Sequence, residues 1–234
     1  MSFRRAKKWP IEAPKVLYMT NRDMLHPMAQ FATWHLNGVC IPIASSATQS
    51  EIEYFVKDSG ADIVVTAAEF KKRFDSIHNE TGIPIFHPTQ DDIDRSCMSL
   101  LHKHGKDAPE KQDAMIIYTS GTTGSPKGVV HTHGGLEAYM QYMQESWKWT
   151  KEDHIANVLP LHHVHGVMNV MNTALYSGAQ CTLIPKYDDR GIWDILLDEE
   201  DGVDLTLFMA VPAIYNRLIA HYENHNMDER SAEI

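Results

Sequence analysis

Short apolar runs rich in β-branched residues alternate along the chain with longer stretches whose apolar positions return at helical spacing. Residues 39–43, 63–66, 115–119, 155–159, 181–184 and 205–209 read as buried strands. Residues 24–36, 49–58, 135–147, 167–176, 192–198 and 212–222 read as helices. Pro212 suits the start of the last one, where a missing N–H removes no helical hydrogen bond. Strand and helix patterns taken in turn predict βαβ units around a mostly parallel sheet. The polar stretch 91–112, with His102, His104, Gly105, Asp107, Pro109 and Glu110, separates two such blocks and reads as a connection between subdomains. Residues 1–20 are poorly assigned, and 223–234 form a polar tail without apolar periodicity.

Composition narrows the class of partner. A formal net charge of −10 argues against nucleic acid, because no basic excess is present to neutralise phosphates. No apolar run reaches membrane-spanning length; even 166–185 is interrupted by Asn169, Asn172, Thr173 and Ser177. The basic start leads into Trp9-Pro10-Ile11-Glu12, not into the apolar segment of a secretory signal. Cys40, Cys97 and Cys181 are few and widely spaced, so no disulfide framework is implied and a reducing compartment fits. The expectation is a soluble intracellular protein, of the mitochondrial matrix or the cytoplasm. Its oligomeric state is not read from the sequence.

The chemistry concentrates in Tyr118-Thr119-Ser120-Gly121-Thr122-Thr123-Gly124-Ser125-Pro126-Lys127-Gly128. Glycines let backbone N–H groups approach an anion, hydroxyls add short donors, and the lysine adds a point charge. Together they suit a polyphosphate. The common P-loop is excluded, since it needs Gly before the Lys and Ser or Thr after it, whereas Pro126 precedes and Gly128 follows. The segment follows a predicted strand and precedes a helical stretch.

This segment resembles the phosphate loop of the acyl-adenylate-forming superfamily: acyl- and aryl-CoA synthetases, nonribosomal peptide adenylation domains and beetle luciferases. Gln30-Phe31-Ala32-Thr33-Trp34 and Gly38-Val39-Cys40-Ile41-Pro42 extend the likeness upstream. Leu159-Pro160-Leu161-His162-His163-Val164-His165-Gly166 and Val211-Pro212-Ala213-Ile214-Tyr215 extend it downstream, so that it covers most of 21–222. The resemblance implies an α/β fold of two αβαβα-type subdomains with mostly parallel sheets. It also implies ATP, Mg²⁺ and coenzyme A acting on a small-molecule carboxylic acid. Thr119, Ser120, Gly121, Thr122, Thr123, Gly124 and Lys127 would hold the nucleotide phosphates, with Thr123 toward the metal and Lys127 catalytic.

Three histidines within four residues, His162, His163 and His165, raise the question of zinc, as does the pair His131 and His133. The further Asp or His that hydrolytic zinc sites place at fixed spacing does not follow. By resemblance, His163 lines the acyl pocket and adjusts between half-reactions, and His165 faces the acid. The histidine motif together with Phe208-Met209-Ala210-Val211-Pro212-Ala213-Ile214-Tyr215 looks most like malonyl-CoA synthetases. A dicarboxylate leaves one carboxylate unreacted, and its burial requires a cation or several donors. His165 and Arg217 are the candidates; a solvated helix face is the other reading of Arg217. A medium-chain or aryl acyl-CoA ligase, and a nucleotide-binding fragment without ligase activity, remain the alternatives.

The resemblance also implies parts that this sequence does not match: a Tyr-Gly-x-Thr-Glu segment, a ribose-binding Asp and a C-terminal lysine. The expectation is therefore a partial N-terminal domain with the C-terminal domain absent, inactive as a ligase alone.

Overall fold

The computed structural model describes residues 12–89, 91–92, 109–120, 124–197 and 204–224, which form two compact units. The first comprises residues 1–139 with 161–164, the second residues 140–160 with 165–234.

Unit one is built on a six-stranded sheet in the order β4-β3-β1-β2-β5-β6. Its strands are β1 Lys15–Met19, β2 Val39–Pro42, β3 Ile63–Thr66, β4 Ile85–Phe86, β5 Asp113–Thr119 and β6 Lys127–Thr132. All neighbours pair in parallel except β5 and β6. The poorly assigned start of the sequence thus supplies an interior strand. β1 is nearly all apolar, and Leu17, Tyr18 and Met19 are fully buried. A strand covered on both faces reads as a continuous apolar run with no alternation to betray it. β4, β6, the 3₁₀ turn Ala68–Phe74 and the helix Asp75–Thr81 also went unread.

Two helices carry the packing that matters for the site. α1 Leu25–His35 follows β1, and α2 Gln49–Ser59 follows β2. In α2 the Thr48 hydroxyl accepts from the Glu51 N–H while the Glu51 carboxylate accepts from the Thr48 N–H, a capping box that stops fraying. Gly60 ends the helix at φ 64°, in the left-handed region. Ile52, Phe55 and Val56 of this helix join Leu17, Met19, Ile41, Phe74 and Ile77 in the core. Burying each such side chain contributes about 1.5–3 kcal/mol. α3 is Asp75–Thr81.

β2 pairs directly with β5, Cys40 opposite Met115, so the stretch 91–112 joins strands of one sheet. Residues 93–108 of that stretch lie outside the described residues. The boundary between the two units falls within α4 His133–Trp147, after Tyr139.

Unit two has a three-stranded parallel sheet, β8-β7-β9, from β7 His154–Asn157, β8 Gln180–Leu183 and β9 Leu207–Phe208. A π-helix, His165–Asn172, runs into α5 Thr173–Tyr176, followed by α6 Asp189–Leu196 and α7 Pro212–Asn224. Its core gathers Trp149, Ile155, Leu159, Val170, Ile192 and Leu218. The helix expected at 167–176 is thus mostly π, with Thr173 Oγ1 donating to the Met168 carbonyl five residues back at 2.8 Å. π-Helices are rare and concentrate at functional positions. Among the described residues no helix is long and apolar enough to cross a membrane.

Candidate phosphate loop and acid-pocket residues

The glycine- and hydroxyl-rich segment is the turn of a β-hairpin. β5 and β6 pair antiparallel, with Tyr118 opposite Gly128 and Thr119 opposite Lys127. This corrects the expected strand–loop–helix order, because β6 stands between the loop and α4. The strand was missed because Lys127–Thr132 is an edge strand with exposed residues at both faces of its first half.

The hairpin stem is clamped onto α2. Tyr54 donates its hydroxyl to the Pro126 carbonyl at 2.7 Å, and Tyr118 donates to the Asp58 carboxylate at 2.8 Å. Burial, and next the Asp58 carboxylate, push the Tyr118 hydroxyl well above its ordinary range, so it remains a donor. Gly128 lets the strands close: a Cβ there would lie 2.9 Å from Ile116 Cγ2 and 3.3 Å from the Tyr118 ring. Gly124 has φ +111°, a conformation that side chains disfavour.

Thr119, Ser120, Gly124 and Lys127 are exposed at the end of this stem. Directly opposed residues of an antiparallel pair project to the same face, so the Thr119 hydroxyl and the Lys127 ammonium do so. Gly121, Thr122 and Thr123 lie outside the described residues. The hydroxyl, glycine and ammonium donors that are described fit a polyphosphate. Among the described residues no group of three or more His, Cys, Asp or Glu side chains could hold a metal ion.

The histidines come from two settings. His162 and His163 belong to unit one, and their rings lie 4.2 Å apart, tilted by 50°. Burial, and next the neighbouring His163, lower the His162 pKa to about 4, so its ring is neutral at pH 7. His163 is exposed. His165 heads the π-helix of unit two, where burial again lowers its pKa. Asn157, fully buried as the last residue of β7, donates to the Gly166 carbonyl at 3.0 Å and accepts from the Leu159 N–H at 3.0 Å. Gly166 itself has no room for a Cβ, which would lie 2.3 Å from the Pro160 carbonyl oxygen. Sequence reasoning missed Asn157, and nothing but its place at the end of a strand pointed to it.

Arg217, on α7, finds a partner within unit two. Its Nη2 donates to Asp189 Oδ2 at 2.9 Å and its guanidinium lies 4.5 Å from the Tyr187 ring centroid. Its side chain is 57% exposed.

A family profile described as AMP-binding enzyme matches residues 12–233. The chain belongs to the AMP-binding enzyme family. Curated relatives include the mitochondrial malonate–CoA ligase ACSF3 of Mus musculus, 34% identical over 227 residues, which cover 92% of this chain and 37% of that protein. The malonate–CoA ligase of Arabidopsis thaliana is 32% identical over 229 residues, covering 88% of this chain and 37% of that one. Among solved structures, apo MatB from Rhodopseudomonas palustris superposes with a TM-score of 0.78 at 25% identity, over 90% of this chain and 42% of MatB. This AMP-binding chain therefore spans little more than a third of the length of the curated relatives it matches.

Proposed function

We propose that this chain is the phosphate-binding portion of an ATP-dependent acid–CoA ligase whose acid is malonate. The single observation that carries the ligase reading is the clamped hairpin, which presents Lys127 and the Thr119 and Ser120 hydroxyls from a stem held by Tyr54 and Asp58. In this reading the acid's carboxylate attacks the α-phosphorus of ATP and expels pyrophosphate. The coenzyme A thiolate then attacks the acyl-adenylate carbonyl. Ser120, Thr122, Thr123, Gly124 and Lys127 hold the phosphates, so the protein contributes positioning and charge neutralisation. Bound Mg²⁺, with Thr123 toward it, supplies further counter-charge.

The malonate reading rests on the named relatives and on the polar groups of unit two. A neutral His165 donates one N–H to a carboxylate without carrying a charge of its own into the pocket. Arg217 reaches the second carboxylate by exchanging Asp189 for it. That exchange is cheap, because solvent screens an exposed ion pair and leaves it weak.

The test is ATP–pyrophosphate exchange by this chain extended to the length of its relatives, with malonate, methylmalonate, acetate, butyrate and a medium-chain acid. Malonate is expected to be preferred, and Arg217→Met to depress its use far more than that of acetate. Preference for a monocarboxylate would remove malonate and leave the ligase reading standing. Absence of exchange with every acid, despite ATP binding, would favour a nucleotide-binding role.

A further inference from the structure

Asn157 has no part in the scheme above. It ends β7, is fully buried, and has its main chain fixed from the neighbouring strand: it pairs with Leu183, and its carbonyl accepts from the Ile184 N–H at 3.1 Å. Its side chain therefore works from a rigid base. A buried amide is kept only where both its ends are satisfied, because a donor or acceptor without a partner is costly there. Here Nδ2 donates to the Gly166 carbonyl and Oδ1 accepts from the Leu159 N–H, each at 3.0 Å.

Those two partners lie on opposite arms of one loop. Leu159 is on the arm that leaves β7, and Gly166 on the arm that returns to begin the π-helix. Residues 161–164 between the arms belong to unit one, while Asn157, Leu159, Pro160, His165 and Gly166 all belong to unit two. A second, independent observation brings the arms together. A Cβ at Gly166 would lie 2.3 Å from the Pro160 carbonyl oxygen and 3.1 Å from that of Leu159. The loop thus has a neck, closed by backbone contact and bolted by one amide. His165 is the residue directly before the bolted one. Further along, Thr173 Oγ1 holds the Met168 carbonyl at 2.8 Å, so the π-helix is tied at both ends. A π-helix bonds five residues apart, and a slip into α spacing would carry His165 round the helix axis. The two ties oppose that slip.

We propose that Asn157 is a positioning residue that bolts the neck of the histidine loop and so fixes the direction in which His165 presents its ring to the acid. The inference rests on the reading of His165 as the residue facing the acid, but its first test does not. An amide suits the task, since it supplies a donor and an acceptor without charge and can clamp a carbonyl and an N–H together. Leucine has a similar shape and can do neither.

The first test follows the His165 ring through a pH titration of the 234-residue chain, by imidazole nitrogen spectra of histidine-labelled protein. In the unsubstituted chain burial lowers the His165 pKa. In Asn157→Leu the ring is expected to turn toward water and its pKa to rise toward the ordinary value of about 6.5. If Asn157→Leu does not fold, Asn157→Ser serves, since it stays polar but is too short to span both arms. A folded variant in which His165 titrates as before would overturn the proposal even if its melting temperature fell, because the amide would then only support the fold. In the extended enzyme the same variant should raise KM for the acid by up to about 10-fold, the worth of one neutral hydrogen bond, with KM for ATP unchanged. Equal rises in both KM values would overturn the proposal as well, being the mark of a generally loosened fold. A shifted His165 pKa with an unaltered acid KM would remove the acid-facing reading of His165 and leave the positioning role intact.

Discussion

The phosphate hairpin and the histidine segment solve opposite solvation problems within one chain. The hairpin tip is exposed and its rigidity is supplied from below, by phenol hydroxyls gripping Pro126 and Asp58. His26 is buried and His162 half-buried, and burial holds both rings neutral at pH 7. In the proposed function a charged triphosphate meets exposed donors on a stiff stem. A carboxylate about to be activated is handled better by neutral donors in a drier setting, where a fixed unpaired charge would be costly. Exposure and burial thus divide the work between the two regions.

The largest expected effect tests the buried side. Burial lowers the His26 pKa to about 3 and that of His162 to about 4, against about 6.5 in the unfolded chain. Below pH 6.5 the unfolded chain takes up protons that the folded one refuses. Stability present above pH 6.5 is therefore lost as pH falls toward 4 and then 3. His26 alone accounts for about 1.4 kcal/mol per pH unit within that window, and the partly exposed His162 for less. Urea unfolding from pH 7 to pH 4 should show a falling midpoint, and a visibly shallower fall in His26→Leu. An identical slope in that variant would break the contrast.

Next in size is Gly166→Val, which drives a side chain into the Pro160 and Leu159 carbonyls. Backbone atoms cannot swing aside as a side-chain end can, so a loss of about 3 kcal/mol is expected by chemical denaturation. Lys127→Ala should leave the melting temperature alone, because no ion pair holds that side chain among the described residues. Loss of a charged hydrogen bond to phosphate should weaken ATP binding by roughly 10–150-fold, measured by calorimetry. An unweakened affinity would remove Lys127 from the phosphate site. The smallest effect belongs to Tyr118→Phe, which deletes the Asp58 hydrogen bond and should cost about 1 kcal/mol of stability. Equal losses of stability in Lys127→Ala and Tyr118→Phe would mean that tip and stem are not separate.

The strands 39–43, 63–66 and 115–119 were legible as apolar runs rich in β-branched residues, and the helices 24–36 and 49–58 by the spacing of their apolar positions. β1 was not, since after Lys15 its run is only four apolar residues, of which Val16 alone is β-branched. The hairpin residues were all named from their types and spacing, yet the hairpin was not. Lys127–Thr132 shows no buried face, and only its pairing with β5 makes it a strand. His162, His163 and His165 stood out by density alone, whereas His26 looked like any helix residue.

What the sequence determined by itself is local: apolar periods, the conformational freedom of Gly124, the donors around it, and a motif specific enough to point to the family. Which way Arg217 turns, toward Asp189 and Tyr187, was decided only in the folded chain. So was the neutrality of His26 and His162. Those properties depend on desolvation and on partners that only folding brings together, such as Asp189 beside Arg217, and neither quantity is written in any window of the sequence.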